Sequence, residues 1–402
     1  MTKDFPYMRK YNYMRNFVNQ KTRILQPSGI RKFFDIVRET EGAISLGVGE
    51  PDFVTPWPVR SAAISSIQKG YTQYTANRGM APLLELISRY LETRFSLSYD
   101  PKHILVTVGA SEAIDLVLRA CTEPGDEILI PDPAYVSYAP CALLSDGVPV
   151  AVECREEDGF LPTQEALEAA ITPRSKILIL TYPNNPTGAI ADRAALEKIA
   201  AVVEKHDLLV VSDEIYAELT YGQKHVSFAS LPGMKERTVY VGGFSKAFAM
   251  TGWRLGYVCA PADIDLAVFK IHQYTVLCAP ITAQYAAIEA LKDGFSDDFA
   301  AVEEMRDSYD RRRRFVLEAL RGAGLTCFPP HGAFYAFPSV KESSLSGEEF
   351  ANRLLKEQKV AVVPGSAFGK FGENCVRISY ATGTGALLEA FRRISKFMKQ
   401  FK

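Results

Sequence analysis

The stretch Gly242-Gly243-Phe244-Ser245-Lys246-Ala247-Phe248-Ala249-Met250-Thr251-Gly252-Trp253-Arg254-Leu255-Gly256-Tyr257 follows a short apolar run over residues 238–241. The run predicts a buried strand, and the glycines let the backbone turn tightly and approach a ligand closely. Lys246 has Ser, Ala and aromatic neighbours and no acid near it in sequence. A lysine in an apolar pocket loses its charge readily and becomes a nucleophile that can form a Schiff base. Taken alone, a lysine in such a stretch is better explained as a surface lysine in a turn, so it is the rest of the chain that favours the Schiff-base interpretation.

Length and composition place the chain among globular proteins. Its 402 residues allow two domains that share a large core, and 47% apolar and 23% charged residues are ordinary for a soluble protein. A net charge of -1 gives no reason to expect nucleic acid or an anionic membrane as a partner. No apolar run has the length of a membrane span, and the first residues lack the apolar core of a signal peptide. We therefore expect a cytoplasmic protein.

Cysteine and histidine usage argues against a metal site. The seven cysteines are scattered without a C-x-x-C pair, which is typical of reduced thiols. The five histidines show no spacing of metal ligands.

The N-terminal arm, residues 1–30, carries five aromatic side chains among basic residues and has no clear period. We expect it to pack on another surface, such as a second subunit, because exposed aromatic clusters promote association. A frayed terminus is the alternative. The apolar spacing from Ile30 to Val37 predicts an amphipathic helix.

Strands and helices alternate from residue 103 to residue 259. The predicted strands cover residues 103–108, 127–131, 148–153, 176–181, 208–212, 238–241 and 256–259. This alternation predicts an α/β fold with a mostly parallel sheet covered by helices on both faces. Ligand sites of such sheets lie beyond the carboxyl ends of the strands. Ser111, Asn185, Asp213 and Lys246 each follow such a strand end.

The pattern changes after residue 263, where helices dominate and shorter strands follow. This part predicts a second, smaller α+β domain. A long helix over residues 301–321 carries four consecutive arginines, 311–314, which we interpret as a solvated face rather than a patch for an acidic partner.

The polar residues at the strand ends suit an aldehyde cofactor that bears a phosphate and a pyridine ring. Lys246 would form the imine, and Asp213 would keep the ring nitrogen protonated so that the ring acts as an electron sink. Asn185 and Tyr216 could both donate to the phenolate oxygen of the ring. Each has an ordinary alternative when taken singly: a cap for Asp213, a turn residue for Asn185 and core packing for Tyr216.

A phosphate would bind where the helix after residue 109 begins, because free amides and the helix dipole favour an anion there. That helix opens with Ala110 and Ser111. Ser245 and Arg254 would add a hydroxyl and a bidentate cation, and Tyr135 would offer an aromatic face to the ring.

Arg377 is the candidate for binding a substrate carboxylate. Its neighbours Val376 and Ile378 predict a buried strand, and a buried arginine can clamp a carboxylate with two hydrogen bonds. A surface salt bridge is the alternative.

Four motifs in this order resemble those of the class I/II aminotransferases, the fold type I family that depends on pyridoxal phosphate. They are the lysine signature Ser245-Lys246 to Gly256, the asparagine motif Asn184-Asn185-Pro186-Thr187-Gly188, the aspartate–tyrosine motif Ser212-Asp213-Glu214-Ile215-Tyr216 and the arginine motif Val376-Arg377-Ile378-Ser379-Tyr380-Ala381. Each motif alone is only suggestive, whereas the four together are highly specific. The resemblance extends over about residues 27–390.

The resemblance implies a complete set of roles. Lys246 would be the Schiff-base and proton-shuttling residue, Asp213 would bind the pyridine nitrogen, and Tyr216 would join Asn185 at the phenolate. Phosphate binding would fall to Ala110, Ser111, Ser245 and Arg254, ring stacking to Tyr135, and substrate binding to Arg377, Asn185 and the backbone of Gly49.

The resemblance also implies a homodimer with shared active sites. Tyr74 matches the family tyrosine that reaches the phosphate in the neighbouring subunit. The implied organisation is an arm over residues 1–30, a large cofactor-binding domain over 57–295 and a small domain built from 31–56 and 296–402.

Three stretches and the charges near the predicted pocket bear on the substrate. Three stretches, at residues 27–35, 135–140 and 363–370, resemble the aromatic aminotransferases of this subgroup. A dicarboxylate specialist needs a second fixed cation, and the helix after Ser111 instead carries Glu112 and Asp115. We expect an aromatic or broad amino donor with a 2-oxo acid such as 2-oxoglutarate as acceptor. Aspartate as donor, or a pyridoxal-phosphate-dependent lyase on this fold, are the alternatives.

Overall fold

The computed structural model describes residues 17–25 and 40–401. In this part of the chain the strands are β1 (Ile44–Ser45), β2 (Ile104–Thr107), β3 (Glu127–Asp132), β4 (Val148–Glu153), β5 (Ser175–Thr181), β6 (Leu209–Asp213), β7 (Thr238–Gly243), β8 (Gly256–Cys259), β9 (Tyr335–Ala336), β10 (Val360–Ala361), β11 (Val363–Pro364) and β12 (Val376–Ser379). The helices are α1 (Gln20–Ile24), α2 (Trp57–Gln68), α3 (Ala81–Phe95), α4 (Gly109–Cys121), α5 (Tyr138–Leu144), α6 (Gln164–Ala170), α7 (Arg193–Lys205), α8 (Ala262–Thr275), α9 (Ile281–Asp297), α10 (Ala300–Ala323), α11 (Gly347–Gln358) and α12 (Thr384–Met398).

A seven-stranded sheet forms the centre of the molecule, in the order β2-β8-β7-β6-β5-β3-β4. Only β8 runs antiparallel to its neighbours, β2 and β7. The mostly parallel α/β sheet expected from the sequence is therefore confirmed. Apart from the edge strand β4, the strands are almost wholly buried, as Val-, Ile- and Leu-rich segments are when helices cover both faces.

The parallel arrangement brings the carboxyl ends of six strands, all except β8, to one edge. Along this edge Thr181 at the end of β5 pairs with Asp213 at the end of β6, and Asp213 pairs with Val241 of β7. The loop that carries Lys246 follows β7 directly. Residues that are far apart in sequence are thus neighbours at this edge.

A smaller antiparallel sheet, in the order β11-β12-β9, lies beside the central one. Its strands pack with α10, α11 and α12 in a core that includes Phe334, Phe350 and Phe391. Strand β1 pairs in parallel with β10, so residues 44 and 45 join this part of the molecule although they precede the central sheet in sequence. This pairing agrees with a small domain that is discontinuous in sequence, and the exact domain boundaries stay a prediction.

Two other sequence expectations have different outcomes. The helix expected from Ile30 to Val37 and most of the N-terminal arm lie outside the described residues. The interpretation of the arginine cluster as a solvated face is wrong for two of its members. Arg312 pairs with Asp52 at 2.8 Å, Arg313 pairs with Asp310 at 2.7 Å, and both arginine side chains are at most 14% exposed.

Among the helices of residues 17–25 and 40–401, none combines the length and the apolar content that a membrane span requires.

Candidate active site

Lys246 lies half-buried in the loop after β7. Its Nζ donates a 2.6 Å hydrogen bond to the carbonyl oxygen of Gly49 and lies 5.5 Å from the centre of the Tyr216 ring. Burial of the amine, followed by the positive charge of Arg377, lowers its pKa from 10.5 to about 8. A substantial share of Lys246 is therefore uncharged at mildly alkaline pH, as a nucleophilic amine requires.

Asp213 is the last residue of β6 and is 5% exposed. Its Oδ2 accepts a 2.7 Å hydrogen bond from the hydroxyl of Tyr138, and its Oδ1 accepts one from the backbone N–H of Ile215. Burial raises the pKa of Asp213 to about 6, while these two hydrogen bonds act in the opposite direction. The carboxylate is thus a buried acceptor with an elevated proton affinity, and such a group favours a cationic partner.

The start of helix α4 lies close to Arg254. Gly109 has a φ of +77°, and a methyl group built on it would lie 2.7 Å from Nη2 of Arg254. A methyl group on Gly256 would lie 2.6 Å from the backbone nitrogen of Ala110. The two glycines therefore allow the guanidinium, strand β8 and the helix start to approach one another. An arginine beside a helix N-terminus is a suitable arrangement for binding a phosphate.

A cavity of about 590 Å³ opens beside Arg254 and is lined partly by Phe53, Val108 and Trp253. Ser245 is buried next to Lys246, whereas Ser111 is exposed on the first turn of α4. Of the phosphate-binding residues proposed from sequence, Arg254 and the start of α4 with Ala110 therefore lie close together, and the role of all four toward a phosphate stays a prediction.

Glu112, on the first turn of α4, has both carboxylate oxygens engaged by other groups of the protein. Its Oε2 accepts a hydrogen bond from the backbone N–H of Val108, and its Oε1 lies 2.8 Å from Nδ1 of the buried His272. The carboxylate thus satisfies a free amide at the helix start and links α4 to α8.

Arg377 lies on β12 and is 2% exposed. Its Nη1 donates to Oδ1 of Asn185 at 2.8 Å, and its Nη2 donates to the carbonyl oxygen of Gly47 at 2.6 Å. Its Nε is buried without a hydrogen-bond partner. Because a buried charged group without an acceptor is costly, this unsatisfied donor indicates a site for an anion.

Aromatic side chains surround these polar groups. The hydroxyls of Tyr216 and Tyr335 are 2.8 Å apart, and the guanidinium carbon of Arg377 lies 4.4 Å from the centre of the Tyr335 ring. Phe334 lies 5.7 Å from Nζ of Lys246, and Tyr135 meets Tyr138 edge to face at 5.5 Å. Aromatic walls exclude water and strengthen the electrostatic interactions among the charged groups.

The structure brings together most residues that the sequence singled out. Lys246 contacts Gly49 and the Tyr216 ring, Arg377 contacts Asn185, and the charges of Lys246 and Asp213 shift each other's pKa. Tyr74 is different, because its side chain is 82% exposed. The roles of these residues toward a cofactor and a substrate stay predictions.

Sequence reasoning missed Tyr138, Tyr335 and Phe368, which contact Asp213 or Arg377 directly. Tyr138 follows Tyr135 by three residues, and Tyr335 lies in the aromatic stretch 334–337. A cluster of aromatics after a strand end was therefore the available signal, but it does not show which ring faces a charge. In the described residues, no group of three or more His, Cys, Asp or Glu side chains could hold a metal ion.

The donor set fits a cofactor with an aldehyde, a basic ring nitrogen and a phosphate. The amine of Lys246, whose pKa is lowered to about 8, suits the aldehyde, and the buried carboxylate of Asp213 suits a protonated nitrogen. Gly109 leaves room for the Arg254 guanidinium at the start of α4, as an anion site there requires.

Comparison with known proteins gives a consistent result. The family model for aminotransferases of class I and II matches residues 41–394. The chain is 46% identical to an aspartate aminotransferase of Pyrococcus abyssi, over 96% of this chain and 99% of that protein. It is 44% identical to aromatic-amino-acid aminotransferase 2 of Thermococcus litoralis, with the same coverage. The crystal structure of an aromatic aminotransferase from Pyrococcus horikoshii matches with a TM-score of 0.87 and 46% identity, covering 92% of this chain and 99% of that one.

Proposed function

The chain belongs to the class I and II aminotransferases, and on that premise we propose that it moves an amino group from an L-amino acid, aromatic or of broad range, to a 2-oxo acid such as 2-oxoglutarate. Pyridoxal 5'-phosphate is the cofactor in this proposal, and the two half-reactions follow a ping-pong order. The observation that carries the proposal is the half-buried amine of Lys246, which donates to the Gly49 carbonyl and lies near the Tyr216 ring, with a pKa that burial and the charge of Arg377 lower to about 8 and the charge of Asp213 acts to raise. The proposed reaction requires a nucleophilic amine, a carboxylate for a protonated ring nitrogen and a cation for a substrate carboxylate, which are Lys246, Asp213 and Arg377 in turn.

Each part of the cofactor has a candidate group on this chain. Lys246 would hold it covalently, Asp213 would accept a hydrogen bond from the ring nitrogen, and Tyr216 would bind the phenolate oxygen with Asn185. When bound, the cofactor supplies an electron sink for the charge that develops at the substrate α-carbon. The phosphate would be held by Arg254 with Ala110, Ser111 and Ser245, and the ring face would be covered by Tyr135.

The protein's own groups bind the substrate and move the proton. Arg377 binds the α-carboxylate, since its Nε lacks a partner and its two Nη atoms bond only to neutral oxygens. Lys246 removes the α-proton of the bound amino acid and holds it at Nζ for return. Its present partner, the Gly49 carbonyl, lies on the loop that also contacts Arg377, so substrate binding and the position of the amine are linked.

Aromatic side chains beside Arg377 support an aromatic or broad amino donor. The Tyr335 and Phe368 rings lie within 5 Å of its guanidinium carbon. Relatives named for aspartate and for aromatic amino acids are almost equally similar, so aspartate is the competing donor. The kcat/KM values for Phe, Tyr and Asp with 2-oxoglutarate separate the two, and a strong preference for Asp would reject the aromatic assignment.

We also propose a homodimer with shared sites. Exposed apolar side chains extend over α2, the loop after it and the end of α8, namely Trp57, Ile64, Ile67, Tyr71, Tyr74 and Tyr274. Tyr71 stacks on Tyr285 of α9 at 5.3 Å, and Asn77 donates to the carbonyl of Leu277, so these segments lie next to one another. An apolar surface of this extent on a globular protein is typical of a protein interface.

Absorbance and product analysis test the proposed function. The purified protein loaded with pyridoxal phosphate is expected to show a near-ultraviolet or visible band that Lys246→Ala abolishes. Turnover is expected to release a 2-oxo acid and a new amino acid in equal amounts. Release of ammonia or carbon dioxide would instead indicate a lyase on the same fold.

A further inference from the structure

Asp132 is a buried carboxylate outside the set of residues considered so far. It is the last residue of β3 and is 6% exposed. Its Oδ2 accepts a hydrogen bond from the backbone N–H of Lys370 at 3.1 Å, and its Oδ1 accepts one from Phe371 at 3.4 Å. Burial raises its pKa to about 6, while the two amides act in the opposite direction. The carboxylate thus joins the central sheet to residues 369–371, more than 230 positions away.

The loop 365–372 is fitted to this carboxylate. Gly369 has a φ of +133°, and a methyl group built on it would overlap the Asp132 carboxylate. The backbone N–H of Ala134 also donates to the carbonyl oxygen of Phe368 at 2.9 Å. The carbonyl group of Phe368 and the backbone of Gly369 therefore both lie against residues 132–134, at the end of β3 and just after it.

Phe368 connects this loop to Arg377. Its side chain is 3% exposed, and its ring centre lies 4.9 Å from the guanidinium carbon of Arg377. The loop follows β11 directly, and Val363 of β11 pairs with Arg377 of β12. A ring at this distance restricts the guanidinium by packing and by cation–π attraction.

We propose that Asp132 is a positioning residue for the substrate arginine: it holds the loop 365–372 so that the Phe368 ring fixes the guanidinium of Arg377. The inference rests on the proposed function, since it assumes that Arg377 binds the substrate carboxylate. Asp132 itself touches neither the substrate nor the reacting atoms. Its effect is expected on carboxylate binding far more than on the chemical step.

The test measures binding of 3-phenylpropionate, a carboxylate without an amino group, to the cofactor-loaded enzyme by titration calorimetry. Asp132→Asn replaces one acceptor oxygen by a donor that faces a backbone N–H. We expect the Kd to rise about tenfold, since a charge-assisted pair of hydrogen bonds is lost. In steady state, KM for the amino donor is expected to rise by a similar factor, with kcat changed less than about threefold.

A double-mutant cycle with Phe368→Leu separates this role from general stability. Because Asp132 acts through Phe368, the double variant is expected to bind the probe no more weakly than Phe368→Leu alone. The matched control is Asp126→Asn, directly before β3, where the carboxylate forms a partly exposed pair with Lys176; it is expected to bind like the wild type. Additive effects of the two single changes would overturn the inference. If Asp132→Asn does not fold, unchanged binding in Phe368→Leu alone would overturn it too.

Failure of the proposed function gives a different result. A wild-type enzyme that binds neither 3-phenylpropionate nor succinate, a dicarboxylate that resembles aspartate without its amino group, rejects the carboxylate role of Arg377, and the inference with it. If succinate alone binds, it replaces 3-phenylpropionate as the probe for all variants. A wild type that binds the probe while Asp132→Asn binds it equally well rejects the role of Asp132 alone.

Discussion

The hydroxyl of Tyr138 donates a 2.7 Å hydrogen bond to Oδ2 of Asp213, inside the site and away from water. The two residues are 75 positions apart, on the helix after β3 and at the end of β6. The bond favours the ionised carboxylate and so opposes the effect of burial on the pKa of Asp213. Tyr138 therefore helps to keep Asp213 available as an acceptor for a protonated ring nitrogen.

Replacing Tyr138 by Phe is expected to raise the pKa of Asp213 above about 6, because the carboxylate loses a hydrogen bond. When the solution is acidified, the affinity for pyridoxal phosphate is therefore expected to fall at a higher pH in Tyr138→Phe than in the wild type. Cofactor titrations between pH 5 and about pH 8, followed by absorbance, measure the shift. Tyr99→Phe is the matched control, since the Tyr99 hydroxyl is buried without a hydrogen-bond partner. A Tyr138→Phe profile identical to the control would contradict the prediction.

Asp213 is expected to lower the stability of the cofactor-free protein at neutral pH. Its pKa in the folded state, about 6, lies above the ordinary 3.8, so the folded state binds the proton more tightly than the unfolded state. The carboxyl therefore opposes folding increasingly as pH rises from about 4 through about 6, and the cost is complete above that range. Asp213→Asn is expected to gain about 1–3 kcal/mol in free energy of unfolding at pH 8 and less at pH 4. Urea unfolding of the cofactor-free proteins measures both values, and an equal gain at the two pH values would exclude this cause.

Lys246 is expected to control the pH dependence of cofactor uptake. Uptake requires the uncharged amine, so its rate rises with pH and levels off above a midpoint near pH 8. The charge of Arg377 contributes to the lowered pKa, so Arg377→Leu should move the midpoint to higher pH.

Stopped-flow absorbance measures the rate of cofactor uptake. Protonation of the free cofactor also depends on pH, but it affects all variants alike. Arg119→Leu serves as the control, because that arginine forms a half-exposed pair with Asp115 on α4. A midpoint that is the same in Arg377→Leu and in the control would show that Arg377 does not act on the amine.

Mixed dimers test whether Tyr74 serves the neighbouring site. Lys246→Ala and Tyr74→Ala each leave defective sites in their own homodimers. In a mixed dimer, the site with an intact Lys246 receives Tyr74 from the other chain. Random mixing is expected to restore about a quarter of wild-type activity at limiting cofactor, since half of the dimers are mixed and each has one complete site.

The control for this experiment pairs Lys246→Ala with Asp213→Ala. Both residues belong to the same chain's site, so no mixed dimer has a complete one and no activity returns. Recovery in the control, or none in the Tyr74 mixture, would argue against shared sites.

Much of the site could be predicted from sequence because its residues follow strand ends. Asp213 ends β6, Asn185 and Lys246 follow β5 and β7, and parallel strands place their carboxyl ends at one edge. Contacts that depend on side-chain packing between distant segments were not predictable. Asp132 and Tyr138 each act through a partner at least 75 positions away. Phe368 is near Arg377 in sequence, but the two side chains meet only because β11 and β12 pair. The pairing of Arg312 with Asp52 was missed for the same reason.

The α/β architecture, the family and the residues that could carry amine chemistry were predictable before folding is considered, because hydrophobic periodicity and strand-end motifs are local properties of the chain. The electrostatic state of those residues depends on the folded protein. The lowered pKa of Lys246 and the raised pKa of Asp213 arise from burial and from charges on other elements, and the unsatisfied Nε of Arg377 arises from how β12 packs. Electrostatic energies depend on distance and on exclusion of water, and both exist only once the chain has folded.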